Sequence, residues 1–280
     1  MNNNLTGKTI MITGASSGIG LALTHQMLQE GAQVIALIRT GFPKEDVVIQ
    51  SSISNHQLRI YQADLSDYNS LRTALEQIKT KEQQIDLLFN NAGGSFAELT
   101  YSKQGRELHY ELQTVVPYII TMELKQLLGT RKRVVHTSTS AFNTMRSFDP
   151  ETLARPAHFK KLFGPYAASK LALSLWTQEL APLLAQEGIT MVTVDPGGNN
   201  TMRKGKNSGL PFYIKPIMKL FFPHPSKGAS LLYQGATSDH QPGSYLVKNK
   251  RKDLKFAQHA SRVLANVQAI YEHDYLHMKN

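Results

Sequence analysis

Tyr166 and Lys170 stand four residues apart in GPYAASKLAL (164–173), inside a stretch patterned as a helix. That spacing puts a phenol and an ammonium on one helical face, about one turn apart. A free tyrosine, with a pKa of ~10, is a poor base at neutral pH. A neighbouring cation favours the phenolate, so the pair is suited to moving a proton to or from a substrate oxygen. Taken alone, the same spacing also describes a solvated surface pair. A second stretch, TGASSGIG, offers different chemistry. Gly14 permits a sharp turn, Gly18 lets backbone approach a pyrophosphate, and Gly20 lets a following helix pack close to a sheet. The amino end of that helix presents unpaired N–H groups and a positive dipole end to phosphate.

These residues need a frame. The runs KTIMITG (8–14), QVIALIR (33–39), LRIYQAD (58–64), IDLLFNNAG (85–93), RVVHTS (133–138) and ITMVTVDPG (189–197) read as strands. They are rich in Ile, Val and Leu and close on turn-forming residues. Near-continuous apolar runs suit strands covered on both faces, hence a parallel sheet. Helical patterns occupy 18–30, 67–81, 103–128 and 165–187. The alternation predicts an α/β fold of Rossmann type, a doubly wound parallel sheet with helices on both faces. No Gly-, Pro- or Ser-rich linker divides the chain, so residues 1–280 are expected to form one domain. Two irregular segments, 140–164 and 202–225, break the rhythm, and such segments at strand ends tend to cover a site. The second carries many apolar side chains, among them Leu210, Phe212, Tyr213, Ile217 and Phe221, and is expected to be a substrate lid. Core packing, a dimer contact and a shallow membrane-surface helix are the competing roles.

Composition narrows the classes further. Hydrophobic residues at 41% and charged residues at 19% give a globular rather than a disordered balance. The absence of cysteine excludes disulfides and thiolate–metal centres, and no metal site is expected. The opening MNNNLTGKTIMITG does not read as a secretory signal, and no run reaches ~18 apolar residues, so a cytoplasmic protein without stable membrane insertion is expected. The net charge of +10 favours an anionic partner such as a phosphorylated cofactor. Its densest cluster, Lys248, Lys250, Arg251 and Lys252, lacks interleaved aromatics and reads as a solvated loop rather than a nucleic-acid contact.

The G-x-x-x-G-x-G spacing, NNAG at 90–93 and YAASK at 166–170 together resemble the short-chain dehydrogenase/reductase family, in that family's order. PSKGASLLYQGATSD (225–239) and PGSYLV (242–247) are similar to its retinol-dehydrogenase-like subgroup. The resemblance implies an oxidoreductase moving a hydride between a nicotinamide and a carbonyl or alcohol, and it also implies homo-oligomers. Ser16, Ser17 and Ile19 then join the three glycines around the cofactor. Arg39 and Thr40, at the end of the second strand, suit a 2′-phosphate, since arginine pairs with it bidentately where an acidic residue would repel it. NADP(H) is the expected cofactor, although Ser17 stands where some NADP-dependent relatives carry a second basic residue. Asp64 and Leu65 are implied at the adenine, Asp67 being better suited to cap the next helix. Asn91, Ala92 and Gly93 are implied near the ribose, and Pro196, Gly197 and Thr201 near the nicotinamide. The glycine–asparagine run 197–200 reads as a hinge for the lid.

The resemblance makes Tyr166 the general acid/base, with Lys170 lowering its pKa and holding the nicotinamide ribose. It requires a hydroxyl at the end of the fifth strand, where Ser138, Thr139 and Ser140 all qualify and alignment selects Thr139. Gln113 falls where the family carries an asparagine that holds a relay water. An apolar lid would favour a small lipophilic carbonyl or alcohol substrate. Binding of NADP(H) without catalysis, as a sensor, is the alternative reading.

Overall fold

The structure, a computed structural model, describes residues 5–128, 132–200 and 222–277. Six parallel strands form where the apolar runs lie: β1 Thr9–Thr13, β2 Gln33–Ile38, β3 Leu58–Gln62, β4 Leu87–Asn90, β5 Lys132–Thr137 and β6 Ile189–Asp195. A seventh parallel strand, β7 Tyr245–Val247, and an antiparallel edge strand, β8 Lys250–Lys252, complete an eight-stranded sheet of order β3-β2-β1-β4-β5-β6-β7-β8. Three of the four basic residues, Lys250, Arg251 and Lys252, therefore form an edge strand and are all exposed, and Lys248 sits in the turn that leads into it.

Alternate residues of the inner strands feed two cores, as the two-residue period requires. Met11, Ile35, Leu88, Val134 and Met191 face one way. Ile12, Ala36, Phe89, Val135 and Val192 face the other. Parallel pairing aligns them into rungs, Met11 beside Ile35 and Leu88, and Ile12 beside Ala36 and Phe89. The second face is covered by α1 Gly18–Gln29, α2 Val47–Ser54 and α8 Pro225–Thr237. The first is covered by α3 Tyr68–Lys81, α5 Val116–Glu123, α7 Pro165–Gln186 and α9 Ala260–Ala269. With α9 laid over it, α7 is sandwiched between sheet and helix, and its Trp176 is fully buried.

The helix expected over 103–128 is broken into pieces. Residues 101–107 instead make a tight return, with a Tyr101–Glu107 bridge and Gly105 at φ +75°. Helix begins at α4 Leu108–Tyr110, where the Glu107 carboxylate accepts the Tyr110 N–H. A π-helical stretch, Glu111–Val115, follows, in which the Val116 N–H reaches back to the Glu111 carbonyl. Pro117 lies just beyond and has no N–H for the Gln113 carbonyl, which removes one α-type bond from this turn. A short α6, Lys125–Leu128, ends the segment.

β1 pairs with both β2 and β4, and the order of the chain reverses there. In doubly wound sheets, ligands occupy the crevice at the carboxyl ends of strands flanking such a reversal.

Candidate active site

The strand ends at that crevice are knitted by a few polar groups. The hydroxyl of Thr13, the last residue of β1, accepts the N–H groups of Asn91 at 3.0 Å and Ala92 at 2.9 Å. The Asn91 amide donates to the Thr13 carbonyl at 3.2 Å and accepts from the Thr137 hydroxyl at 3.4 Å, so one side chain braces the ends of β1 and β5. Glycine is obligatory in this contact. Gly14 has φ +67°, and a Cβ there would sit 2.9 Å from the Ala92 Cα. A Cβ on Gly20 would lie 2.1 Å from the Gly14 carbonyl oxygen and 2.7 Å from the Asn91 amide nitrogen. Helix α1 is thereby seated on the turn, with no acidic residue in its first turn to oppose an anion. Gly18 sits at φ +57°, another left-handed position. Ser16, Ser17 and Ile19 flank these glycines, half-buried. This cradle of glycine backbone and a helix amino end fits a dinucleotide pyrophosphate.

The other sequence-selected residues fall along the same edge. Arg39 and Thr40 are exposed just past β2, and Gln62 of β3 donates to the Arg39 carbonyl at 2.9 Å. Asp64 and Leu65 are half-buried past β3. Asp67 caps α3 by accepting the Asn69 N–H. Asp64 is not wholly left for a ligand, because its Oδ1 accepts both the N–H and the hydroxyl of Ser66. Past β6, the Asp195 carboxylate accepts the Gly197 N–H at 2.8 Å. The expected hinge at 197–200 is instead a pinned turn. Asn199 is buried, donates to the carbonyls of Pro196 and Gly197, and accepts the Gly228 N–H from α8. Thr201 and positions 202–221 of the expected lid lie outside the described residues.

Tyr166 occupies the first turn of α7, where Pro165 fixes the entry. Thr139, two residues past β5, lies near the Tyr166 hydroxyl, and the approach of the two side chains favours the ionised phenol. Ser138 instead pairs with Ser174 of α7 at 2.8 Å, and Ser140 is exposed. The Tyr245 hydroxyl of β7 bonds the Thr139 carbonyl at 3.1 Å and steadies its backbone. One turn along α7, Lys170 is almost wholly buried and donates to the Thr137 carbonyl at 2.5 Å.

The electrostatics differ from the expectation that Lys170 would acidify the phenol. Burial pushes Tyr166 up to about 12, the nearby Thr139 side chain opposes this, and the Asp195 carboxylate adds to it. Burial brings Lys170 down to about 7, so at neutral pH it is only partly cationic and its ammonium is turned to a backbone carbonyl. The phenol is consequently protonated at neutral pH, the state of a proton donor.

Gln113 is fully buried in the π-helical stretch. Its amide donates to the Gly94 carbonyl at 3.1 Å, and a Cβ on Gly93 would come within 2.9 Å of its Oε1. The extra methylene relative to asparagine thus carries the amide onto the loop after β4. Three buried side chains near this site were not marked in the sequence: His136, Glu107 and His109. His136 is held neutral, down at about 3, by burial and by Lys170. Its Nδ1 lies 3.2 Å from the Asn90 amide. The E-x-H spacing at 107–109 was the available signal for the other two.

A doubly wound sheet with a glycine turn at its reversal defines a dinucleotide-binding class of fold. Residues 8–147 match the short chain dehydrogenase family. Mouse retinol dehydrogenase 12 is 30% identical over 259 residues, covering 89% of this chain and 80% of that protein. The blue fluorescent protein from a metagenomic library, solved with NADPH, is 23% identical with a TM-score of 0.67, over 88% of this chain and 97% of that one. A Burkholderia cenocepacia short chain dehydrogenase solved with NADP is 23% identical with a TM-score of 0.63, over the same 88% and 97%. The chain belongs to the short-chain dehydrogenase/reductase family of oxidoreductases, in its retinol-dehydrogenase-like subgroup. Among the described residues no helix is long and apolar enough to cross a membrane.

Proposed function

We propose that this protein is an NADP(H)-dependent reductase of lipophilic carbonyl compounds, able to run in reverse on the alcohols. The observation that carries the reading is buried Lys170 one helical turn along α7 from Tyr166, with Thr139 near the phenol past β5 and the glycine cradle past β1. When bound, the nicotinamide supplies or accepts the hydride. Thr139 donates to the substrate oxygen and stabilises the charge that develops there. Tyr166, protonated at neutral pH, delivers its proton to that oxygen in reduction and recovers one from an alcohol in oxidation. Lys170 orients the ribose and raises the acidity of the phenol when it carries its proton.

The amino end of α1, with Gly14, Ser16, Ser17, Gly18, Ile19 and Gly20, receives the pyrophosphate. Arg39 and Thr40 take the 2′-phosphate. Their exposure past β2 leaves them open to it, and two solved proteins of the same fold hold NADPH and NADP. Asp64 and Leu65 hold the adenine side, Asn91, Ala92 and Gly93 the ribose side, and Pro196, Gly197 and Thr201 the carboxamide side. Residues 1–280 are taken as a single domain, most of the lid expected at 202–225 lying outside the described residues. The name of the mouse relative, a retinol dehydrogenase, supports a small lipophilic substrate.

The test is NADPH consumption with a panel of aldehydes, ketones and quinones, comparing native protein with Tyr166→Phe. The variant should bind NADPH as the native protein does and lose turnover by about a thousandfold, within the usual range for a general acid. NADPH bound tightly with no substrate turned over would leave the binding-only reading in its place.

A further inference from the structure

The segment before the π-helical stretch holds a buried pair that the proposed chemistry does not use. Glu107 and His109 are 0% and 1% exposed. Nδ1 of His109 lies 2.6 Å from the Glu107 carboxylate. Its Nε2 accepts the backbone N–H of Phe96 at 2.9 Å. A ring nitrogen that accepts carries no proton, so in the neutral ring the proton sits on Nδ1 and is donated to Glu107. The other Glu107 oxygen accepts the Tyr110 N–H at 2.9 Å, and the Glu107 N–H reaches the Ala154 carbonyl at 2.9 Å.

The imidazole is also a packing hub. Its centroid lies 4.6 Å from the Phe96 ring, 6.4 Å from Phe159 and 5.9 Å edge-on from Tyr166. Three separate segments meet on it: the loop after β4, the insertion before α7, and the first turn of α7. A carboxylate–imidazole pair is a costly object to bury, and here every ring atom able to bond is committed.

We infer that His109 is a positioning residue for the reaction at Tyr166. Its Nε2 pins the loop after β4 through Phe96, and its ring fixes Phe96, Phe159 and Tyr166 as one wall of the substrate pocket. Glu107 holds the tautomer that makes this acceptor. The inference rests on the oxidoreductase reading for its kinetic consequence, whereas the pin itself is a property of the fold.

Substitutions separate the two roles. His109→Gln keeps an acceptor near the Nε2 position and removes the ring. His109→Phe keeps the ring and removes the acceptor, and the double variant Glu107→Gln, His109→Phe avoids stranding a buried carboxylate. Amide hydrogen exchange at Phe96 should quicken at least about tenfold in both Phe-containing variants and stay near native in His109→Gln. In NADPH-dependent carbonyl reduction, His109→Gln, which removes the ring beside Tyr166, should lower kcat about tenfold, and the Phe-containing variants, which keep the ring but free the Phe96 loop, should raise KM about tenfold with kcat kept. NADPH affinity should hold in all three. Unchanged Phe96 exchange in the double variant, or native kcat and KM in every variant, overturns the inference. A native protein that reduces no carbonyl would refute the oxidoreductase reading instead, and Phe96 exchange would still decide whether the pin exists.

Discussion

Replacing Lys170 with methionine should abolish activity and yet stabilise the ligand-free protein. The ammonium is almost wholly buried, it donates to the Thr137 carbonyl, and burial takes it from the usual 10.5 to about 7. A lysine whose folded pKa lies below its unfolded value binds fewer protons when folded. The resulting destabilisation is complete below pH 7 and is relieved as pH rises toward 10.5. At 1.36 kcal/mol per tenfold, the cost is about 4 kcal/mol at pH 7 and about 2 kcal/mol at pH 9. Methionine keeps most of the aliphatic stem but leaves the Thr137 carbonyl without its donor, a loss of roughly 1–2 kcal/mol. The expected net gain is therefore about 2 kcal/mol at pH 7, shrinking to near zero at pH 9. Urea unfolding of both proteins at the two pH values measures this, and the comparison cancels groups common to both. A variant less stable than native at pH 7, or one with the native pH slope, would refute the argument that burial dominates at this site.

Thr139→Val should cut carbonyl reduction by about a hundredfold or more while Thr139→Ser retains most of it, and Ser138→Ala should leave kcat near native. A larger loss in Ser138→Ala than in Thr139→Val would move the catalytic hydroxyl by one residue. Arg39→Ala should weaken NADPH by at least about tenfold and NADH by less than threefold, as loss of one phosphate partner requires. Equal losses, read by fluorescence titration, would remove Arg39 from the phosphate site. Gly20→Ala should fail to bind either nucleotide, since its methyl group would displace the Gly14 carbonyl and the Asn91 amide. Retained affinity by the same titration would contradict the seating of α1 on the turn.

The sheet was legible because most of its first six strands are apolar runs closed by a turn residue, and burial on both faces leaves that pattern little freedom. The glycine turn was legible for a related reason, as only glycine tolerates the close approach of residue 92. The helix over 103–128 misled because its apolar spacing persists through a stretch whose hydrogen bonding is altered by Pro117 and capped late by Glu107. The last strands escaped notice because YLV and KRK are too short to carry a period. The Tyr–Lys pair was visible by spacing, but its electrostatics were not. Spacing sets the turn, whereas the direction in which the ammonium points depends on the Thr137 carbonyl, which only the folded β5 brings near. Asn199 misled in the same way, since a Gly–Asn run reads as supple until Gly228 arrives from α8 to fasten it.

The claim that Tyr166 is a proton donor at neutral pH is most directly tested by its own ionisation. Tyrosine labelled with ¹³C at Cζ, with the Tyr166 signal assigned by its loss in Tyr166→Phe, can be titrated from pH 6 to pH 12 in the nucleotide-free protein. A neutral phenol beyond pH 10, with ionisation at about 12, is the expected result. A phenolate signal for Tyr166 already present at pH 7 would contradict it.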